Sequence, residues 1–213
     1  MRRITVILGL CALLLPMAAW ADAIELTNVG GSVTFSSSGI SSTMSELKSF
    51  KEGAYSIVAP KSGSLGTVSF STGAFISGGI WTGGTLSATG STFDVAGSGR
   101  WARILTGQST NPVTLFTGSF VGPISWTVIS HVKDNYIFTL SGRIFGLLYT
   151  GRDVSGFTTQ TIYAFTNQEP YDHKGSLHAG STSLPIPEPG TLGLLGTGLI
   201  AVAGSMRRKL FGS

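Results

Sequence analysis

Tyr136-Ile137-Phe138-Thr139-Leu140-Ser141, followed by Gly142 and then Arg143-Ile144-Phe145-Gly146-Leu147-Leu148-Tyr149, is the stretch on which the fold turns. Tyr136, Phe138 and Leu140 alternate with Ile137, Thr139 and Ser141. Side chains of an extended chain point to opposite faces in turn, so a period of two marks a strand with one face in a core. Gly142 permits a tight reversal, and 143–149 is expected to run back. Gly151-Arg152-Asp153 turns again, and 157–165 repeats the pattern with Phe157, Thr159, Thr161, Tyr163 and Phe165 on one face. β-branched and aromatic residues of this kind suit a pleated, half-buried surface.

Working outward, 113–120 and 124–130 read as two strands joined by a turn at Val121-Gly122-Pro123. The segment 100–105 reads as a strand with Trp101, Arg103 and Leu105 on one side. Between 65 and 95, short hydroxyl-rich runs at 66–71, 74–77, 85–89 and 91–95 are punctuated by glycine. Their large apolar groups, Phe70, Phe75, Trp81 and Phe93 among them, argue against a flexible linker. Tyr55-Ser56-Ile57-Val58 is a strand stopped by the turn cluster Pro60-Lys61-Ser62-Gly63. Near the start, Ile24–Thr27 and Val33–Phe35 flank Gly30-Gly31, as a hairpin or as two short strands. Residues 36–42 read as a polar loop. The one helical expectation in the body is 43–50, where Met44, Leu47 and Phe50 fall three apart and Thr43 and Glu46 have capping-box spacing. Several antiparallel strands with turns about every 8–12 residues predict an all-β, antiparallel β-sandwich, or a barrel-like relative of it. After Thr166 the chain turns polar and meets Pro170, so 167–184 reads as a linker.

Both ends differ from this body. Arg2 and Arg3 precede an apolar run over 4–15, and Ala19-Trp20-Ala21 forms an A-x-A site before Asp22. That is the layout of a signal peptide over 1–21, handled by the Sec translocon and cut by signal peptidase between Ala21 and Asp22. At the other end stand Pro187-Glu188-Pro189, then an uncharged segment, then Arg207-Arg208-Lys209. The prolines disfavour helix in the residues before them. The segment 191–206, with Thr191, Leu192, Leu194, Leu195, Leu199, Ile200, Val202 and Met206, offers a helix no polar face. Its sixteen residues would span roughly 24 Å against about 30 Å of hydrocarbon, a weak anchor weakened further by four glycines. The basic triplet would hold its end in the cytoplasm.

This three-part order resembles the PEP-CTERM sorting signal of Gram-negative bacteria, over 185–213. The resemblance implies recognition by exosortase, a membrane-embedded transpeptidase-like protease. It implies cleavage near Pro-Glu-Pro, a transient inner-membrane stage, and delivery to the cell surface or matrix, with exopolysaccharide as a possible partner. An ordinary C-terminal membrane anchor is the plain alternative, and differs only in whether the tail survives.

The formal charge of +4 comes from the ends. Five of the 14 positive side chains and one of the 10 negative ones lie there, leaving nine of each in the body. No basic field remains to gather phosphates, so nucleic acid is not an expected partner. The body has no cysteine, so packing and backbone pairing must hold it. Serine, threonine and glycine supply most of its polarity, a surface compatible with a polysaccharide surrounding.

The body offers little chemistry. Of the three histidines, His131, His173 and His178, the last two with Asp172 and Glu169 make a poor ligand set, and no metal or cofactor is expected. Ser98 in Gly97-Ser98-Gly99 lacks the flanking pattern of a nucleophile elbow and reads as a hairpin loop. Asp94, Asp134 and Asp153 read as solvated turn residues rather than a glycosidase pair. Trp81, Trp101 and Trp126 could stack on sugar rings if exposed, although Trp126 reads as core. The expectation is therefore a non-enzymatic surface or matrix protein. A surface carbohydrate-binding module or carbohydrate-active enzyme is the alternative, and it needs tryptophans on an open face or paired acids in a cleft.

Overall fold

A computed structural model of the chain describes residues 23–165 and 174–186. The strands are β1 (Ala23–Val29), β2 (Ser32–Ser36), β3 (Gly39–Glu52), β4 (Tyr55–Val58), β5 (Gly66–Ser71), β6 (Phe75–Gly79), β7 (Gly83–Leu86) and β8 (Thr92–Gly97). A short helix α1 (Arg100–Thr106) follows, then β9 (Val113–Val132), β10 (Asn135–Leu148), β11 (Asp153–Phe165) and β12 (Lys174–Pro185). The order β10-β11-β12-β1-β3-β5-β8-β9 is antiparallel throughout, and β9 pairs back onto β10. Eight strands thus close a ring, so the all-β expectation takes its barrel form. The flanking signal helix and C-terminal helix expected from sequence lie outside the described residues.

A barrel of eight strands is just wide enough for side chains to fill. Here inward residues do so with Phe35, Phe50, Phe70, Phe93, Phe116, Trp126 and Phe138, all fully buried. Trp126 and Phe138 stack with ring centres 4.3 Å apart. One end is covered by the β6–β7 hairpin, whose Trp81 packs on Phe35, Tyr136 and Phe138. The other end carries α1, whose Trp101 packs on Phe50 and donates its indole N–H to the Leu65 carbonyl at 3.1 Å.

Five local expectations are corrected. First, 43–50 is not helical but belongs to β3. Two bulges in this strand, at Thr43-Met44 and at Lys48, each add a residue without a partner. An inserted residue shifts the inside–outside parity, so Leu47 and Phe50 both point inward at a spacing of three, which imitates a helix. Met44 is an outward bulge residue at φ 58°. Second, 100–105 is helical. Trp101, Ala102 and Leu105 form its packed face, and Gly107 ends it at φ 69° with its N–H on the Arg103 carbonyl. Third, Gly142 makes no reversal, because β10 runs through it. A Cβ there would press on the Phe120 ring, so glycine serves close packing. Fourth, Val121-Gly122-Pro123 does not divide two strands. It is a bulge within β9, a place where proline is tolerated, since Ser125 pairs with Ser141 and Val121 with Arg143.

The fifth correction matters most. Of the expected linker 167–184, Lys174 onward is strand β12, filling the slot between β11 and β1. Leu177 and Leu184 are buried and Thr182 joins the interior. The polar look of this strand is that of an outer face. Of the two readings around Gly30-Gly31, that of two short strands holds: β1 and β2 are collinear, both lying between β12 and β3.

Candidate functional site: the terminal rim and the hydroxyl belt

The ladder between β1 and β12 fixes where the chain enters and leaves the barrel. Ala23 pairs with Pro185, and Ile24 with Leu184. Both apolar side chains are buried, and Ile186 packs against the core. Pro185 has no N–H to continue the ladder, so it ends the strand. Pro187 is the second residue beyond it. The candidate cleavage positions at Ala21–Asp22 and Pro187–Pro189 therefore adjoin, in the sequence, two residues that pair at one end of this ladder.

The same rim carries α1 and the turn after β10. Tyr149 there donates a 2.6 Å hydrogen bond to Glu52 Oε2. Partial burial, followed by this carboxylate, holds the Tyr149 phenol well above its ordinary pKa.

The outer wall shows a second arrangement. Ser125, Ser141, Thr159, Ser181, Thr27 and Ser49 stand opposite one another in register on six successive strands, β9, β10, β11, β12, β1 and β3. Their chain neighbours Leu140, Gly142, Thr158, Gln160, Leu26 and Asn28 are buried, so the six hydroxyls face out. Thr27 Oγ1 and Ser49 Oγ share a 2.5 Å hydrogen bond. Phe157 and Tyr163, the latter stacked on His178 at 4.4 Å, stand beside Thr159 and Thr161 on the same face. The belt shares the outer face with exposed apolar side chains, Ile129, Phe145, Leu147 and Phe165 among them. Among the described residues no helix is long and apolar enough to cross a membrane.

A third polar group is sealed inside. Asn28 Nδ2 donates to Ser45 Oγ at 2.7 Å and to Gln160 Oε1 at 3.0 Å. Gln160 Nε2 donates to Thr158 Oγ1 at 2.8 Å, and Thr158 shares a hydrogen bond with Thr182. Gly180 leaves the room these amides use, for a Cβ there would collide with Gln160 Oε1 and Asn28 Oδ1. Sequence reasoning missed both the belt and this row, since each exists only once the register is known.

The structure scatters the residues singled out for chemistry. Trp126 is buried, and its indole N–H donates to the Ile80 carbonyl at 2.7 Å. Trp81 and Trp101 are partly buried against the core rather than laid on an open face. Asp94 is no turn residue: it sits on β8 and accepts from Thr117 Oγ1 at 2.6 Å. Asp134 lies in the β9–β10 turn and Asp153 opens β11. Ser98 joins β8 to α1 rather than closing a hairpin, with its N–H on the Leu65 carbonyl. His131 stacks on Tyr136 at the other end of the barrel. Among the described residues no three potential ligands gather for a metal. Glu169, Asp172, His173 and the expected terminal residues Ala19, Ala21, Asp22, Pro187, Glu188, Pro189, the 191–206 segment and Arg207-Arg208-Lys209 lie outside the described residues.

For that terminal segment, comparison with known families is informative. A family model for the PEP-CTERM protein-sorting motif matches residues 185–209. The chain thus carries a PEP-CTERM sorting signal over these residues, the signal by which exosortase sorts exported proteins to the cell surface. No curated protein matches the chain. No solved structure matches it either.

Proposed function

We propose that the barrel is a non-enzymatic cargo of the exported matrix, delivered by its two processed ends and associated with exopolysaccharide through its outer wall. In this reading the Sec translocon and signal peptidase remove 1–21. The tail then holds the protein in the inner membrane until exosortase cuts near Pro187-Glu188-Pro189.

The observation that carries the reading is the hydroxyl belt from Ser125 to Ser49, flanked by Phe157 and Tyr163. Hydroxyls in register offer donors and acceptors to a neutral glycan, and aromatic faces offer stacking. An interior filled mainly by aromatic and aliphatic side chains supports a binding role over a reaction chamber. Cells with and without exosortase test the sorting half: the C-terminal mass should shorten only in the first, and an unchanged tail in both opposes it. Electrophoresis of the barrel through gel containing host exopolysaccharide tests the other half. Retardation should fall when Thr27, Thr159 and Ser181 are all changed to Ala, and retardation indifferent to these changes opposes the belt.

A further inference from the structure

The pairing of Ala23 with Pro185 puts the exit of the folded body on the α1 rim. From Ile186 to Thr191, where the apolar tail segment starts, the chain takes five steps. At 3.3–3.6 Å for each extended residue that is at most about 18 Å. While the tail is in a bilayer, this rim is therefore held next to the headgroups, which occupy only some 5–7 Å on each side.

The rim has the composition such a surface favours. Arg100 and Arg103 on α1, Arg152 in the turn after β10 and Lys61 in the loop after β4 are all exposed. Among the described residues none of these four forms an ion pair, whereas Lys48 and Lys51 are bridged to Glu46 and Glu25. Of the nearby acids, Glu52 is engaged by Tyr149, and Asp153 stands beside Arg152 in the chain. Ile104, on α1, is 69% exposed. At the opposite end the β9–β10 turn carries Lys133 and Asp134, one charge of each sign, and Lys174 opens β12, fewer cations than on the α1 rim.

We propose that the α1 rim rests on the anionic phospholipid surface while the sorting tail is attached, with Arg100, Arg103 and Arg152 on headgroup phosphates and Ile104 at the interface. The inference rests on the anchored precursor described above. Each cation near an anionic membrane is worth roughly fivefold in binding, too little to hold a free protein but effective when the tail keeps the rim within reach. Cutting the tail then releases the barrel without any further step.

The test uses full-length protein with Cys11→Ala, taken from a host without exosortase and reconstituted in phosphatidylglycerol–phosphatidylethanolamine vesicles containing a headgroup-level quencher lipid. An environment-sensitive dye is placed at Ile104→Cys or, as the far-rim reference, at Lys133→Cys. Quenching should be strong at 104 and weak at 133. It should fall at 104 in phosphatidylcholine vesicles, and in R100Q/R103Q, where the rim–membrane equilibrium weakens roughly fivefold per charge. Equal quenching at both positions in protein that resists carbonate extraction overturns the oriented rim. So does quenching at 104 that ignores the charge changes. Protein that carbonate extracts overturns the anchored precursor, and the inference with it.

Discussion

Tyr149 and Glu52 are joined across the α1 rim by a 2.6 Å hydrogen bond, although 97 positions separate them in the chain. The bond ties the turn after β10 to the end of β3, so it reports directly on whether that end of the barrel is closed.

Tyr149→Phe removes the bond and leaves the ring. A hydrogen bond to a charged acceptor contributes about 1.5–3 kcal/mol, and partial exposure brings the expected loss to about 1 kcal/mol. The pH dependence carries a sign. The phenol titrates near 10 in the unfolded chain and higher in the folded one. Its stabilisation is thus complete below about pH 10 and is lost as pH rises through the folded value. Urea unfolding followed between pH 8 and pH 11 should show a steeper alkaline decline in the wild type than in Y149F.

Gly180→Ala tests the sealed polar row. The new methyl group would meet the carbonyl oxygens of Gln160 and Asn28. Overpacking of this kind costs about 1–3 kcal/mol. The displaced amides lose bonds as well, so a fall in the unfolding midpoint at the upper end of that range is expected by thermal circular dichroism.

Met44→Gly should stabilise. Met44 holds φ 58° with 74% of its surface exposed, so it has little packing to lose. The left-handed conformation costs an L-residue about 1–2 kcal/mol. Greater freedom of glycine in the unfolded chain offsets part of this. A gain of about 0.5–1 kcal/mol in chemical unfolding is expected.

Ending the chain after Ile186 should leave a cooperative transition with an unchanged midpoint, because β12 and its buried Leu177 and Leu184 are kept. Ending it after His173 removes the strand between β11 and β1 and should abolish the transition. Circular dichroism on the two truncations measures both.

Alternation was readable wherever the strands run without insertion, as in Tyr136–Leu140, and there it led to the right faces. It failed where a bulge shifted the phase, at Met44 and Lys48 in β3 and at Gly122-Pro123 in β9. Helix α1 was hidden because seven residues hold too few turns to reveal a period, although Gly99 and Gly107 mark its ends. β12 has the composition of a linker because its outward residues, Ser176, His178, Ser181 and Ser183, outnumber the buried Leu177 and Leu184. Of the candidate sites, the sorting signal is contiguous and could be read directly. The belt is assembled from single residues on six strands and has no local signature.

The position of β12 also bears on how the protein is made. A ring of strands gains its full cooperativity only when its final stave is available, and here that stave is followed at once by the sorting signal. Most of the barrel must therefore emerge from a secretion channel before its seam can be stitched. Synthesis thus brings the moment of closure and the appearance of the address label within a few residues of each other.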